Sequence, residues 1–161
     1  MELNSLTTIY VVELKDLFSA ENQILKALPK MIAAAHSSKL ARALAKHERQ
    51  TREHVNRLQR IFKGLGYGAG GKHCEGMEGL LKEGAGLIKG RPDPEVLDAG
   101  LISAAQHVEH YEMAGYGTVR TWARVLGRPK DARLLQYTLD EEEEADMGLT
   151  DLAETINVTA Q

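Results

Sequence analysis

The sequence predicts an all-α fold: four long helices arranged as two antiparallel hairpins, joined by a long crossover that carries a short extra helix. Three observations predict it. Apolar residues recur at alternating three- and four-residue steps through four long stretches, the period of a helix that buries one face. Only 4 of the 161 residues are proline, β-branched runs are short, and Leu, Ala, Glu and Lys dominate, a composition that favours helix over strand. The first and last connections between the long stretches are a few residues each, whereas the middle one is about thirty, far more than a tight turn needs.

The first helix is expected over about residues 5–35, with Leu14, Leu17, Glu21, Ile24, Leu28, Met31 and Ala35 on its seam. Pro29 removes a hydrogen bond to the carbonyl of Leu25, so a kink is expected there; the other reading ends the helix at Leu28 and restarts it with Pro29 in first position. After His36-Ser37-Ser38, where a serine suits an N-cap, the second helix (about 39–63) carries Leu40, Leu44, His47, Thr51, His54, Leu58 and Ile61. The crossover begins with glycines between 64 and 71 and contains a short helical stretch around Met77 to Ile88. Pro92-Asp93-Pro94 then opens the third long helix, whose seam is Leu101, Ala105, Val108, Glu112, Gly115, Val119, Trp122 and Leu126. A stop at Gly127-Arg128-Pro129 leads into the fourth, about 131–157, with Leu135, Thr138, Glu142, Ala145, Leu149, Leu152 and Ile156. A link of this size can run the length of a bundle, which implies a crossover topology rather than simple up-down-up-down.

Composition narrows the function. One domain, 1–161, buries roughly two-thirds of its unfolded surface and needs no disulfide or structural metal, so any metal is expected to be functional. The single Cys74 fits a reducing compartment, and the cytoplasm is expected. Met1-Glu2-Leu3-Asn4 has no basic n-region and Ile9-Tyr10-Val11-Val12 is too short for a leader or a span, so no membrane is expected. A net charge of −3 (20 − 23) argues against a dedicated nucleic-acid binder.

The seams are informative where they stop being apolar. Glu21, Glu112 and Glu142 each interrupt one stripe, and the second helix adds His47 and His54. Counting outward from the hairpin turns sets Glu21 level with the stretch between Gln50 and His54, and Glu112 level with Glu142. An offset of 91 residues superimposes Glu21 on Glu112 and Gln50 on Glu141, a weak internal duplication. Burying converging carboxylates is costly, and the seams carry no Lys or Arg at that depth. Either the carboxyls are protonated and hydrogen-bonded, or cations lie between them. Two divalent ions would balance Glu21, Glu112 and Glu142 with Glu141 or Asp146, His and Gln serving as neutral donors. Mixed carboxylate and imidazole donors suit iron, or manganese, better than a closed zinc site. The ordinary readings are a core or outer-layer role for His47, core packing for Tyr116 and Trp122, a solvated face for most of Asp140 to Glu144, and linker status for His73-Cys74-Glu75. Arg42, Lys46, Arg49, Arg52, Arg57 and Arg60 form a basic stripe expected to face solvent or another subunit.

Five stretches carry a family likeness: Phe18-Ser19-Ala20-Glu21-Asn22-Gln23 with Lys26-Ala27-Leu28-Pro29-Lys30-Met31; His47 to Leu58; Cys74-Glu75-Gly76-Met77-Glu78-Gly79-Leu80; Val108-Glu109-His110-Tyr111-Glu112 with Tyr116-Gly117; and Glu141-Glu142 with Asp146 and Leu149. Together they resemble the YciE/YciF bacterial stress-protein branch of the ferritin-like superfamily. The resemblance implies a ferritin-like four-helix bundle with a short additional helix, a dinuclear metal centre, a homodimer and a link to stress responses. It also implies ligands at Glu21, Gln50, His54, Glu112, Glu142 and Asp146. At 50 and 54 the family commonly has Glu then Gln, so this chain exchanges a carboxylate for an amide and an amide for an imidazole; a single metal, an altered metal preference or recruitment of Glu53 are the consequences to weigh. The expected function is that of a stress protein whose di-iron or di-manganese site handles O₂, peroxide or ferrous iron, with no small-molecule substrate specified. The alternative is a non-catalytic helical interaction protein whose polar layer fixes packing. A nucleic-acid storage role rests on the basic stripe alone.

Overall fold

The computed structural model describes residues 4–160; Met1 to Leu3, which belong to the segment read above for a leader, lie outside it. The described residues form five helices and no strand: α1 (Leu6–Ala34), α2 (Ser38–Leu65), α3 (Glu75–Gly90), α4 (Pro94–Val125) and α5 (Pro129–Thr159). None is long and apolar enough to cross a membrane.

Local chemistry sets these limits. Ser5 and Ser37 accept hydrogen bonds from the amides of Thr8 and Leu40, satisfying donors that a helix start leaves unpaired. Gly66 closes α2 in a left-handed conformation at φ 74°. α1 continues through Pro29, so the stop at Leu28 does not occur. α5 starts two residues earlier than expected because Pro129 occupies the first helical position, where a missing amide costs nothing, and Gly127 at φ 67° turns the chain into it.

Two sets of hydrogen bonds define the path. Tyr10, near the start of α1, donates to Asp131 near the start of α5, placing these helix starts at one end of the molecule. At the other end the Asp98 carboxylate, in the second turn of α4, accepts from the backbone amides of His36 (2.8 Å) and Ser37 (2.6 Å) in the α1–α2 turn. The link through α3 therefore returns the chain along the molecule before α4 begins. α1 packs on α2, α2 on α5, α5 on α4 and α4 on α1, while α3 covers α1 and α4. Because Asp98 is buried and carries two charge-assisted bonds, Asp98→Ala is expected to cost about 3 kcal/mol, read as a lowered urea midpoint at unchanged slope.

Two apolar cores result. One gathers Tyr10, Leu14, Leu17, Leu58, Phe62, Val119 and Leu135; the other gathers Ile24, Leu28, Leu40, Leu44, Met77, Leu101 and Ile102. Gly115 lets α1 approach α4: a Cβ there would lie 2.7 Å from Cδ2 of the fully buried Leu17. Gly115→Ala is expected to destabilise by about 1 kcal/mol, since overpacking costs about 1–3 and outweighs the helix-propensity gain of about 1. A reduced Tm checks this. Cys74 is no linker residue: it is fully buried, its thiol caps α3 at Met77, and it contacts Asp16 (2.8 Å) and Tyr111 (3.0 Å), pinning the crossover to α1 and α4.

Candidate metal centre

Between the two apolar cores the helices place Glu21 (α1), His47 and His54 (α2), Glu109 and Glu112 (α4), and Glu142 (α5), all buried. His54 Nδ1 stands 3.0 Å from Glu142 Oε1 and 3.3 Å from Glu21 Oε1. Two helical turns away, His47 faces Glu142 Oε2 at 3.7 Å through Nδ1 and Glu109 Oε1 at 3.5 Å through Nε2. Glu142 thus lies between two groups of donors, Glu21 with His54 on one side and His47 with Glu109 and Glu112 on the other; within each group the donor atoms fall within 4.8 Å of one another.

These donors are poorly satisfied by protein. Glu21 Oε2, Glu109 Oε2, both oxygens of Glu112 and of Glu142, both nitrogens of His47 and Nδ1 of His54 are buried without a hydrogen-bond partner. Native interiors rarely strand polar atoms this way, and so many in one layer point to a missing partner. Tyr116 donates to Glu21 Oε1, so its hydroxyl belongs to the layer as well as its ring to the core.

Electrostatics follow from this crowding. Burial, reinforced by the neighbouring carboxylates, pushes Glu109 and Glu112 well above the usual carboxyl range. Burial lowers His47. For His54 burial acts in the same direction, but Glu21, Glu141 and Glu142 outweigh it and push it up to about 12. Glu142 is held below its ordinary value, burial notwithstanding, by His54 and His47. The crowding therefore favours the protonated forms of Glu109, Glu112 and His54 over further negative charge in the layer.

The sequence-derived residues fare unequally. Glu21, His54, Glu112 and Glu142 converge. Gln50 is half-buried on the wall of a cavity of about 90 Å³, which His47 and Glu109 also line. Asp146 is engaged elsewhere, accepting from Gln106 (3.1 Å) and facing His110 (3.3 Å). Glu53 pairs with Arg60 and Asn56 outside the layer. Glu141 binds the far side of His54 and Arg57 rather than the donor cluster. Arg57 accordingly departs from the expected basic stripe: its side chain is only 13% exposed. Glu109 is not among the residues that periodicity singles out, although it lies one turn before Glu112 and shares its face; His47 is on the seam, where the expected role is in the core or the outer layer of a site.

A family described as "Domain of unknown function (DUF892)" matches residues 5–161. The chain belongs to this family. Its relatives include Protein YciF of Escherichia coli K12, 39% identical over 154 residues, spanning 95% of this chain and 93% of the relative. The crystal structure of the E. coli stress protein YciF superposes with a TM-score of 0.93 at 38% identity, covering 96% of this chain and 98% of that one. YcfI of Rhodopseudomonas palustris, described as a structural protein, gives a TM-score of 0.90 at 38% identity over 92% of this chain and 95% of that one. A Xanthomonas campestris protein at 19% identity and a TM-score of 0.76, over 96% and 94% of the two chains, shares the fold. The DUF892 chain is thus a relative of a stress protein with the same all-helical architecture.

Proposed function

We propose that this DUF892 protein is a ferritin-like four-helix bundle that holds two divalent ions, iron or manganese, between Glu21, His54, Glu142, His47, Glu109 and Glu112. The observation that carries the reading is the set of buried, unpartnered carboxylate oxygens and imidazole nitrogens converging from four helices. Four carboxylates match the charge of two divalent ions, and two imidazoles complete a mixed donor set that those metals accept. Glu142, whose two oxygens face opposite donor groups, would contribute to both.

Relative to the expected ligands, His47 and Glu109 take the places of Gln50 and Asp146. Glu109 restores the carboxylate that Gln50 does not supply. When bound, such ions supply reversible one-electron chemistry toward dioxygen, peroxide or ferrous iron. The protein's own contribution is to orient the donors, to exclude bulk water with apolar cores on both sides, and to keep a hydroxyl, that of Tyr116, beside Glu21. The cavity that His47 and Glu109 line is where a hydrated ion or a small oxidant would approach. Lys46 and Glu144 flank it and pair at 2.7 Å on the exposed rim, where such a pair is weak enough to open readily. We further propose a homodimer, tested by light scattering on the eluting protein.

Anaerobic loading with Fe²⁺ or Mn²⁺ followed by metal analysis tests the reading directly. Two ions per chain are expected; less than one would reject it. A second reading has the layer fix helix register without metal, and the close approach of His54 to Glu21, Glu141 and Glu142, with the structural description of the R. palustris relative, favours it. It requires stability to be indifferent to metal.

A further inference from the structure

One residue pair beside the layer is left over by the metal reading: Glu141 on α5 and Arg57 on α2, both half-buried. They are held in fixed geometry. Arg57 donates both terminal nitrogens to Glu141, at 2.6 Å and 3.1 Å, and one of them also to Thr138 at 3.1 Å. The same carboxylate lies 2.8 Å from Nε2 of His54. Consecutive residues on α5 therefore face both ring nitrogens, Glu141 hydrogen-bonded at Nε2 and Glu142 approaching Nδ1 to 3.0 Å.

A carboxylate committed to a guanidinium fork is an acceptor only, so Nε2 must carry the hydrogen. In the neutral ring that leaves the Nδ1 lone pair aimed at Glu21 and Glu142. Arg57 makes the arrangement rigid, since its planar fork fixes the plane of the carboxylate. The ring itself is fully buried, edge-on to Tyr116 at a centroid distance of 6.3 Å. We propose that Glu141, clamped by Arg57, is a positioning residue that locks His54 in the Nε2–H tautomer and presents Nδ1 as its metal donor. The inference rests on the metal reading above and assigns a role specific to a chain that has histidine at position 54. Hydrogen-bonding partners of this kind orient metal-bound imidazoles and raise their basicity.

Glu141→Gln and Arg57→Gln test it, the second without touching His54. With Mn²⁺ as the probe, each is expected to weaken binding by about 10- to 100-fold while circular dichroism and metal-free Tm show a folded protein. Arg57→Lys, which keeps the charge but not the fork, is expected to fall between. Long-range ¹H–¹⁵N spectra of the imidazoles separate positioning from a structural role: with Zn²⁺ bound, His54 is expected to ligate through Nδ1 with a protonated Nε2, and Glu141→Gln is expected to lose that signature. Unchanged Mn²⁺ affinity in both glutamine variants, or ligation of His54 through Nε2, would overturn the proposal. If the wild-type protein takes up no metal, the metal reading falls and this assignment with it; if the wild type takes up Mn²⁺ and neither glutamine variant weakens binding, the positioning role alone falls.

Discussion

Saturating the metal-free protein with Fe²⁺ or Mn²⁺ under anaerobic conditions is expected to raise its Tm by about 8–16 °C. A ligand at a thousandfold excess over its dissociation constant stabilises the native state by about 4 kcal/mol, and a domain of this size gains about 2–4 °C per kcal/mol. Glu112→Leu is expected to move the two states in opposite directions. Both Glu112 oxygens are buried without partners, so replacing the carboxyl with an apolar side chain removes a desolvation penalty of about 1–3 kcal/mol and raises the metal-free Tm. The same change deletes a donor, so the metal-dependent increment shrinks or vanishes. Differential scanning calorimetry of both proteins, with and without metal, reads all four values. A metal increment near zero in the wild type, with Glu112→Leu more stable, would leave the register-fixing reading standing. A metal-free Glu112→Leu less stable than the wild type would mean that those oxygens already have partners.

The residues that the sequence made legible are those whose position follows from helical periodicity and hairpin arithmetic. Glu21, His54, Glu112 and Glu142 fall on their seams, and antiparallel pairing across short turns sets them near one depth; His54 lies 3.3 Å from Glu21 and 3.0 Å from Glu142, and Glu112 falls in a group with Glu142. Periodicity alone could not choose among acids one turn or one position off the seam. Glu109 flanks its stripe yet turns inward, because α4 is packed by α1, α3 and α5 and presents a wide face to them. Asp146 lies one turn past Glu142 and is drawn away by Gln106 and His110, partners that no spacing rule reveals. Arg57 looked like part of a basic stripe because its neighbours at similar spacing are exposed. Only the position of Glu141 on a distant helix folds it inward. Helix limits were legible wherever a capping residue marks them. Cys74 was misjudged because its glycine-rich flank suggested a linker, whereas its burial depends on contacts with Asp16 and Tyr111 from two other helices.

The pH dependence of stability is expected to change sign on metal binding. Glu109 and Glu112 hold protons more tightly folded than unfolded. Their contribution to metal-free stability is therefore complete below the unfolded carboxyl value of 4.5 and is lost as pH rises through their raised folded values. His54 acts in the same direction, its contribution present below 6.5 and lost as pH climbs toward about 12. His47 is lowered, so its contribution is already complete above 6.5 and adds no slope there. Glu141, held down to about 2 by His54 and Arg57 against the opposing effect of burial, loses its contribution only as pH falls below 4.5. Above pH 6.5 the groups that still titrate therefore all favour the lower pH, and the urea midpoint of the chelated protein is expected to fall between pH 6.5 and about pH 8. Metal binding competes with the same protons, since carboxylate and imidazole donors must be deprotonated to bind. With Mn²⁺ in excess, the midpoint is expected to rise over that interval instead. Parallel curves in chelator and in metal would mean that protons and cations do not share these donors, and the layer would then owe its protonation to packing alone.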